Sequence, residues 1–259
     1  MDIRGGKVGF QVFKGLLSLP IPLGQRTHLI PLLGYEHIRV DTSGETLGHD
    51  GNLHAATFGL SLAHRFNDRW TGIVGGTTGP ASNVAGELSS HDLFWTLNAL
   101  ALYTSSPAFT FGFGGSYDQR LGMPLPVPLL SLRWEPTGKF SIRGTAPSAL
   151  YVSVRPLRAL TLQLTASLGG QRYHLSNREY DGTDTRLAYS LVKLGGGTRI
   201  HFGEKVHLEL LAGYLVARRF EKIVDDDSQG KDFLPPGAFF GGSLWFGQGG
   251  WTRPFEAPR

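Results

Sequence analysis

The stretch LLSLRWEPTGKFSIRG, residues 129 to 144, reads as two short strands joined by a turn. Leu132, Trp134, Phe140 and Ile142 share one face, and serines alternate with Arg133 and Arg143 on the other, because successive strand side chains point to opposite sides. Which face meets the interior decides the function class. A soluble protein would bury the apolar face and show the arginines to water, whereas a membrane barrel would turn that face to lipid and enclose the arginines. Read as a three-residue connection, Pro136-Thr137-Gly138 starts a type I turn at Pro and puts Gly in the left-handed bulge position. That predicts Glu135 opposite Lys139, Trp134 opposite Phe140, Leu132 opposite Ile142 and Ser131 opposite Arg143.

The same alternation recurs along the chain. In TLQLTASLGGQ, Leu162, Leu164, Ala166 and Leu168 share one face and Thr161, Gln163, Thr165, Ser167 and Gly169 the other. Phe109, Phe111 and Phe113 alternate with Thr110, Gly112 and Gly114, and Phe58, Leu60 and Leu62 with Thr57, Gly59 and Ser61. Strands are predicted near residues 6 to 19, 27 to 40, 53 to 66, 70 to 78, 92 to 104, 108 to 117, 127 to 135, 139 to 146, 149 to 155, 159 to 173, 186 to 202, 206 to 222 and 238 to 247.

Short connections fall at Asn67 to Arg69, Ser105 to Pro107, Pro136 to Gly138, Pro156 to Ala159 and Gly203 to Lys205. Longer polar ones lie between them, at Asp41 to Asn52, Gly79 to His91, Asp118 to Pro126, Ser176 to Thr185 and Ile223 to Pro236. Outer-membrane barrels sort their connections in this way, with short periplasmic turns on one rim and longer extracellular loops on the other. The fold class expected is therefore all-β, a single antiparallel up-and-down transmembrane β-barrel of about 12 strands, within a range of about 12 to 14. One domain over residues 1 to 259 is expected. The tight connection at Ala146 to Ser148, where a long loop is due, makes the count odd and sends the first and last strands toward the same rim. A further strand and a signal peptide upstream of Met1 are the expected remedy.

Composition agrees with a sheet protein. The 259 residues include 36 Gly, 11% aromatic residues and only 18% charged ones, and no long window carries good helix formers in amphipathic order. The uncharged run Leu93 to Tyr117 is not a transmembrane helix, because Asn98, Ser105-Ser106-Pro107, Gly112, Gly114 and Gly115 divide it into two strands. A net charge of +4 spread along the chain gives no stripe for nucleic acid, and the absence of Cys excludes disulfides, thiolate metal sites and cysteine nucleophiles. No signal peptide precedes the first strand in MDIRGGKVGFQVF.

Residues Pro126 to Leu175 carry a family likeness in Pro128-Leu129-Leu130 leading to Trp134, Ala146-Pro147 before Tyr151, and Gly169-Gly170 running to Tyr173. In these features the chain resembles an uncharacterised family of outer-membrane β-barrel proteins known only as a domain of unknown function. The resemblance implies a Gram-negative outer membrane and a barrel, and it brings no activity and no functional residues. The end WTRPFEAPR departs from the terminal aromatic common in such barrels.

Candidate chemistry is sparse. Ser89-Ser90-His91-Asp92 holds all three triad residue types, yet adjacent residues cannot converge as nucleophile, base and orienter, so no catalytic residue is assigned. His201 and His207 flank a turn with Glu209 nearby, but without dedicated ligand spacing they read as hydrated wall residues. Asp225, Asp226, Asp227 and Asp232 beside Gly230 offer a weak site for a hard cation at Asp225 and Asp227, the other reading being a solvated acidic loop. Gly195 to Gly197 and Gly112 to Gly115 are not phosphate loops and suit a strongly curved sheet. No cofactor is implied.

Extending the alternation places Arg65, Arg133, Arg143, Arg155, Lys193 and Arg199 on the polar face, with His207 and Glu209 beside them, as the expected lumen lining and solute contacts. A watered lumen of this kind favours anions modestly, while interior charges paired with carboxylates would plug it. Tyr35, Trp70, Trp95, Tyr103, Trp134, Tyr173, Tyr214, Trp245 and Trp251 are candidates for interfacial girdles, some of them destined for the lumen. The function expected is a passive pore or small-solute channel in the bacterial outer membrane, with membrane lipid and the barrel assembly machinery as partners. A barrel-borne lipid hydrolase and a soluble barrel binding a small apolar ligand are the alternatives.

Overall fold

The structure is a computed structural model that describes residues 7–43, 51–83, 92–119, 125–175, 184–203, 205–225 and 227–246. It is all-β, with no α-helix among the described residues. The strands are β1 Lys7–Ser18, β2 Ile21–Pro22, β3 Thr27–Ser43, β4 Gly51–Arg65, β5 Trp70–Ser82, β6 Leu93–Ser106, β7 Phe109–Asp118 and β8 Leu125–Thr137. Next come β9 Phe140–Ala146, β10 Ala149–Leu157, β11 Leu160–Leu175, β12 Thr185–Phe202, β13 Val206–Val224, β14 Asp227–Leu234 and β15 Gly237–Phe246. Each segment that alternates in the sequence is a strand here.

Consecutive strands pair antiparallel from β1 through β3 to β14, and the two-residue β2 adds a short rung to β3. A parallel bridge between Ser82 and His174 joins β5 to β11 and closes the seven strands from β5 to β11 into a ring. β1, β3 and β4 continue the wall on one side of that ring and β12 to β15 on the other. Across the break β14 and β15 hold one register against β13, Arg218 to Leu234 above and Leu215 to Gly237 below, and β14 shifts by one residue only at its far end, between Lys222 and Ile223. They amount to one strand broken at Pro235-Pro236, where proline has no N–H to give the ladder. The wall is therefore thirteen strands long, and β1 and β15 run toward the same rim.

Two expectations need correction. The segment Ile223 to Pro236 is not a long loop, because β14 lies inside it and turns tightly off β13, with Val224 opposite Asp227. In the β8–β9 hairpin, Gly138 and Lys139 form the turn and Thr137 pairs with Phe140. A bulge between Trp134 and Thr137 then sets Trp134 opposite Ile142, Arg133 opposite Arg143, and Ser131 opposite Thr145. The bulge contains Pro136, which cannot join the ladder, and it displaces the expected pairs while leaving each residue on its expected face. The Trp134 and Phe140 rings still meet edge to face, with centroids 5.9 Å apart.

The two faces differ in kind. Outward lie Leu60, Leu97, Phe113, Leu130, Leu164 and Leu210, all exposed. Inward, on the alternate positions, lie buried polar groups: Thr96, Ser153, Thr161, Gln163, Gln171, His207 and Glu209. Toward the rim with the long connections the interior changes character. Ile38, Val40, Leu53, Ala55, Ala81 and Phe94 from one wall meet Tyr173, Leu175, Leu187, Phe220 and Leu234 from the other in a single apolar cluster. Inward-facing Gly114 and Gly197 sit where strands crowd: an added Cβ would lie 2.0 Å from the Ala99 carbonyl oxygen and 2.2 Å from that of Leu210. These glycines serve curvature, as the sequence suggested.

Phe94 is almost wholly buried in the cluster. Phe94→Ala should lower stability by about 3–5 kcal/mol in denaturant unfolding; an unchanged midpoint would mean that the two walls do not meet there.

Candidate functional site

The inner surface divides into an upper layer at the apolar cluster and a lower layer toward the short turns. At their junction, Glu36 on β3 accepts hydrogen bonds from the hydroxyls of Tyr173 at 2.9 Å and Tyr189 at 3.2 Å, and pairs with Lys14 of β1 at 3.2 Å. A cavity of about 110 Å³ lies beside it, bordered by Lys14, Glu36, Thr57, Thr77 and Gln171. Lys193 projects over the Phe239 ring, with Nζ 5.9 Å from its centroid.

The lower layer holds the arginines. Arg133 on β8 donates to Glu135 at 3.0 Å. Arg143 on β9 sits between Arg133 on one neighbouring strand and Tyr151 on the other. Arg155 on β10 reaches the Thr161 hydroxyl at 3.4 Å, and Arg199 on β12 grips Glu209, its cross-strand partner on β13, through two guanidinium nitrogens. His201 and His207 face each other with their Nδ1 atoms 2.9 Å apart, and the other ring nitrogen of His201 meets the Thr161 hydroxyl at 2.9 Å. This is a donor-rich wall on β8 to β12, in which Glu135 and Glu209 each answer one arginine.

The alternation brings Arg133, Arg143, Arg155 and Arg199 together with His207 and Glu209. Arg65 stands apart at the short-turn rim, where it pairs with Asp68 at 2.6 Å. Lys193 lies higher on β12. Asp225 takes positive φ in the β13–β14 turn, and its carboxylate accepts the Asp184 N–H at 3.2 Å. Asp226 lies outside the described residues, and Asp227 begins β14. No group of three or more His, Cys, Asp or Glu that could hold a metal ion forms among the described residues.

Sequence reading missed two features. Ser89, Ser90, His91 and Trp251 lie outside the described residues, but Asp92 accepts a 2.8 Å bond from His174 and both are buried. His174 also comes within 3.5 Å of Asp184, which holds Arg186. This network fastens the upper ends of β6, β11 and β12, and no local spacing could have announced it. Ser153 and Gln163 were legible as inward residues by parity alone, but their burial was not.

The family model that matches, a domain of unknown function (DUF6268), covers residues 35–224. The chain belongs to this family. The match takes in β4 to β13 and the second half of β3, the arginine wall included, while β1, β2, β14 and β15 lie outside it. No curated protein matches the chain.

Glu209 is buried against Arg199, so Glu209→Gln should cost about 3 kcal/mol in denaturant unfolding by leaving a buried guanidinium without its counter-charge. Adding Arg199→Gln should recover part of that loss. Simple additivity in the double-mutant cycle would show that the pair is not coupled.

Proposed function

We propose that this chain is an outer-membrane β-barrel whose basic, polar interior takes up small anionic solutes. The observation that carries the reading is the polarity of the wall. Large apolar side chains stand outward and exposed on strand after strand, while Thr, Gln, Arg, His and Glu point inward. In water such an outer face would be a standing liability for aggregation; in a bilayer it is the face that fits. An apolar depression of about 670 Å³ on that face, bordered by Leu60, Leu62, Val74, Leu97 and Tyr117, suits acyl chains.

Aromatic placement supports the same orientation. Trp70 packs on Tyr103 near the short turns with centroids 5.0 Å apart, and Trp95 stacks on Tyr117 toward the opposite rim at 4.7 Å. Two such belts match the headgroup regions on either side of a hydrocarbon layer. Inside, guanidinium groups outnumber carboxylates on β8 to β12, which favours anions, and the apolar cluster narrows the passage toward the long connections. On this reading the partners are outer-membrane lipid outside the wall and the barrel assembly machinery during insertion. The chain acts as a passive conduit or solute binder and not as an enzyme.

Leu164, 64% exposed on the outward face of β11, separates the membrane from water. Leu164→Arg should destabilise the protein in lipid vesicles by about 2–4 kcal/mol, because the bilayer midplane rejects the charge. If the variant is neutral and the wild type stays folded and monodisperse without detergent, the proposal fails. In planar bilayers, the reversal potential across a salt gradient should have the sign of anion preference, and a cation-selective current would refute the basic lumen.

A further inference from the structure

Arg143 is the odd member of the arginine wall. Arg133 has Glu135 and Arg199 has Glu209 in direct contact, yet among the described residues no carboxylate or hydrogen-bond acceptor lies within bonding distance of the Arg143 guanidinium, which feels Glu135 only at longer range and Arg199, Arg133 and Arg155 with it. Its direct cross-strand neighbour is the like-charged Arg133, a pairing that works against stability unless something negative lies between. Arg155, two strand positions beyond Ser153, likewise has only the Thr161 hydroxyl.

Beside these cations sit two orphaned polar groups. Ser153 and Gln163 pair across β10 and β11, are 4% and 5% exposed, and have no partner for Oγ and Nε2 among the described residues. Ser153 also pairs with Ser141, the residue two before Arg143 on the same face of β9, so in the ladder the serine is the diagonal neighbour of Arg143. Tyr151 completes the surround, directly opposite Arg143. Buried polar atoms in native proteins are almost always satisfied, and an orphan set of this kind marks a missing partner. Guanidinium and amide nitrogens only donate, and serine and tyrosine hydroxyls can donate, so the missing partner is rich in acceptors and negatively charged.

We propose that Arg143 and Arg155, with Ser153, Gln163 and Tyr151, form a binding site for a phosphate-type oxyanion on the inner wall. The inference rests on the anion-accepting interior proposed above and names the group it receives. Guanidinium forks match phosphate oxygens in geometry as well as charge, and donors arriving from β9, β10 and β11 suit a tetrahedral group better than a flat one. The same phosphate could be free, carried by a small ester, or part of a lipid headgroup.

The test is a titration of the detergent-solubilised protein with inorganic phosphate, glycerol phosphate and phosphatidate in mixed micelles, against chloride at matched ionic strength. Binding is read by calorimetry and by the shift in Tm. Saturable stabilisation by phosphate and not by chloride is expected, and the arm that binds tightest identifies the carrier. Arg143→Gln should weaken binding by about tenfold or more, whereas Arg65→Gln, at the rim and already paired with Asp68, should leave it unchanged.

Ser153→Ala supplies a readout that a merely damaged protein cannot imitate. Removing an orphaned buried hydroxyl should raise Tm in chloride while reducing the phosphate-induced shift. The site is refuted if none of the three probes binds saturably, if Arg65→Gln weakens binding as much as Arg143→Gln, or if Ser153→Ala lowers Tm in chloride. Because the titration reads binding and not permeation, a protein that holds phosphate but passes no current keeps this site and loses the channel.

Discussion

One carboxylate ties opposite walls of this molecule together across its interior. Glu36 projects inward from β3 and takes hydrogen bonds from Tyr173 of β11 and Tyr189 of β12 while pairing with Lys14 of β1. Those tyrosines belong to the opposite wall, so this interaction crosses the interior and does not run along the sheet. Its position at the lower edge of the apolar cluster explains its weight: there the medium changes from side-chain hydrocarbon to polar groups, and an ionised acid is tolerated only where several donors converge on it. With the walls fixed at that level, the apolar residues above close on one another and the arginine wall lies below.

The rest follows from how strands present their side chains. A period of two commits every second residue to the inside, and in this chain the inside of the lower layer is polar. Charges placed there must find counter-charges, which Arg133 does in Glu135 and Arg199 in Glu209. At Arg143, where Glu135 acts only from a distance and Arg199, Arg133 and Arg155 crowd in, the wall carries a local excess of positive charge in a region partly shielded from solvent, and such places are where ligands are recognised.

Most of this architecture was legible in the sequence, for a local reason. Alternation is read within a few residues, and the ends of β6, β7 and β12 fall within about two residues of where apolar and polar positions stop alternating. Register was harder. The β8–β9 pairing differs from the one its turn residues suggest because Pro136 makes a bulge, and bulges are decided by the ladder on both sides. β14 was hidden by its composition: DSQGKDFL has little strand propensity, and it is a strand because the upper part of β13 needs a partner. The apolar cluster and the Asp92–His174 contact join residues far apart in the chain, and no window of sequence contains them.

The broken final strand has a mechanical consequence. Because β14 and β15 keep one register against β13, the proline pair interrupts hydrogen bonding without letting the alignment slip. The strand behaves as two zippers sharing a track: the upper can open while the lower stays engaged, and reclosing restores the same pairs. Local opening is cheapest where ladder bonds are fewest, so opening of this strand starts at the proline pair.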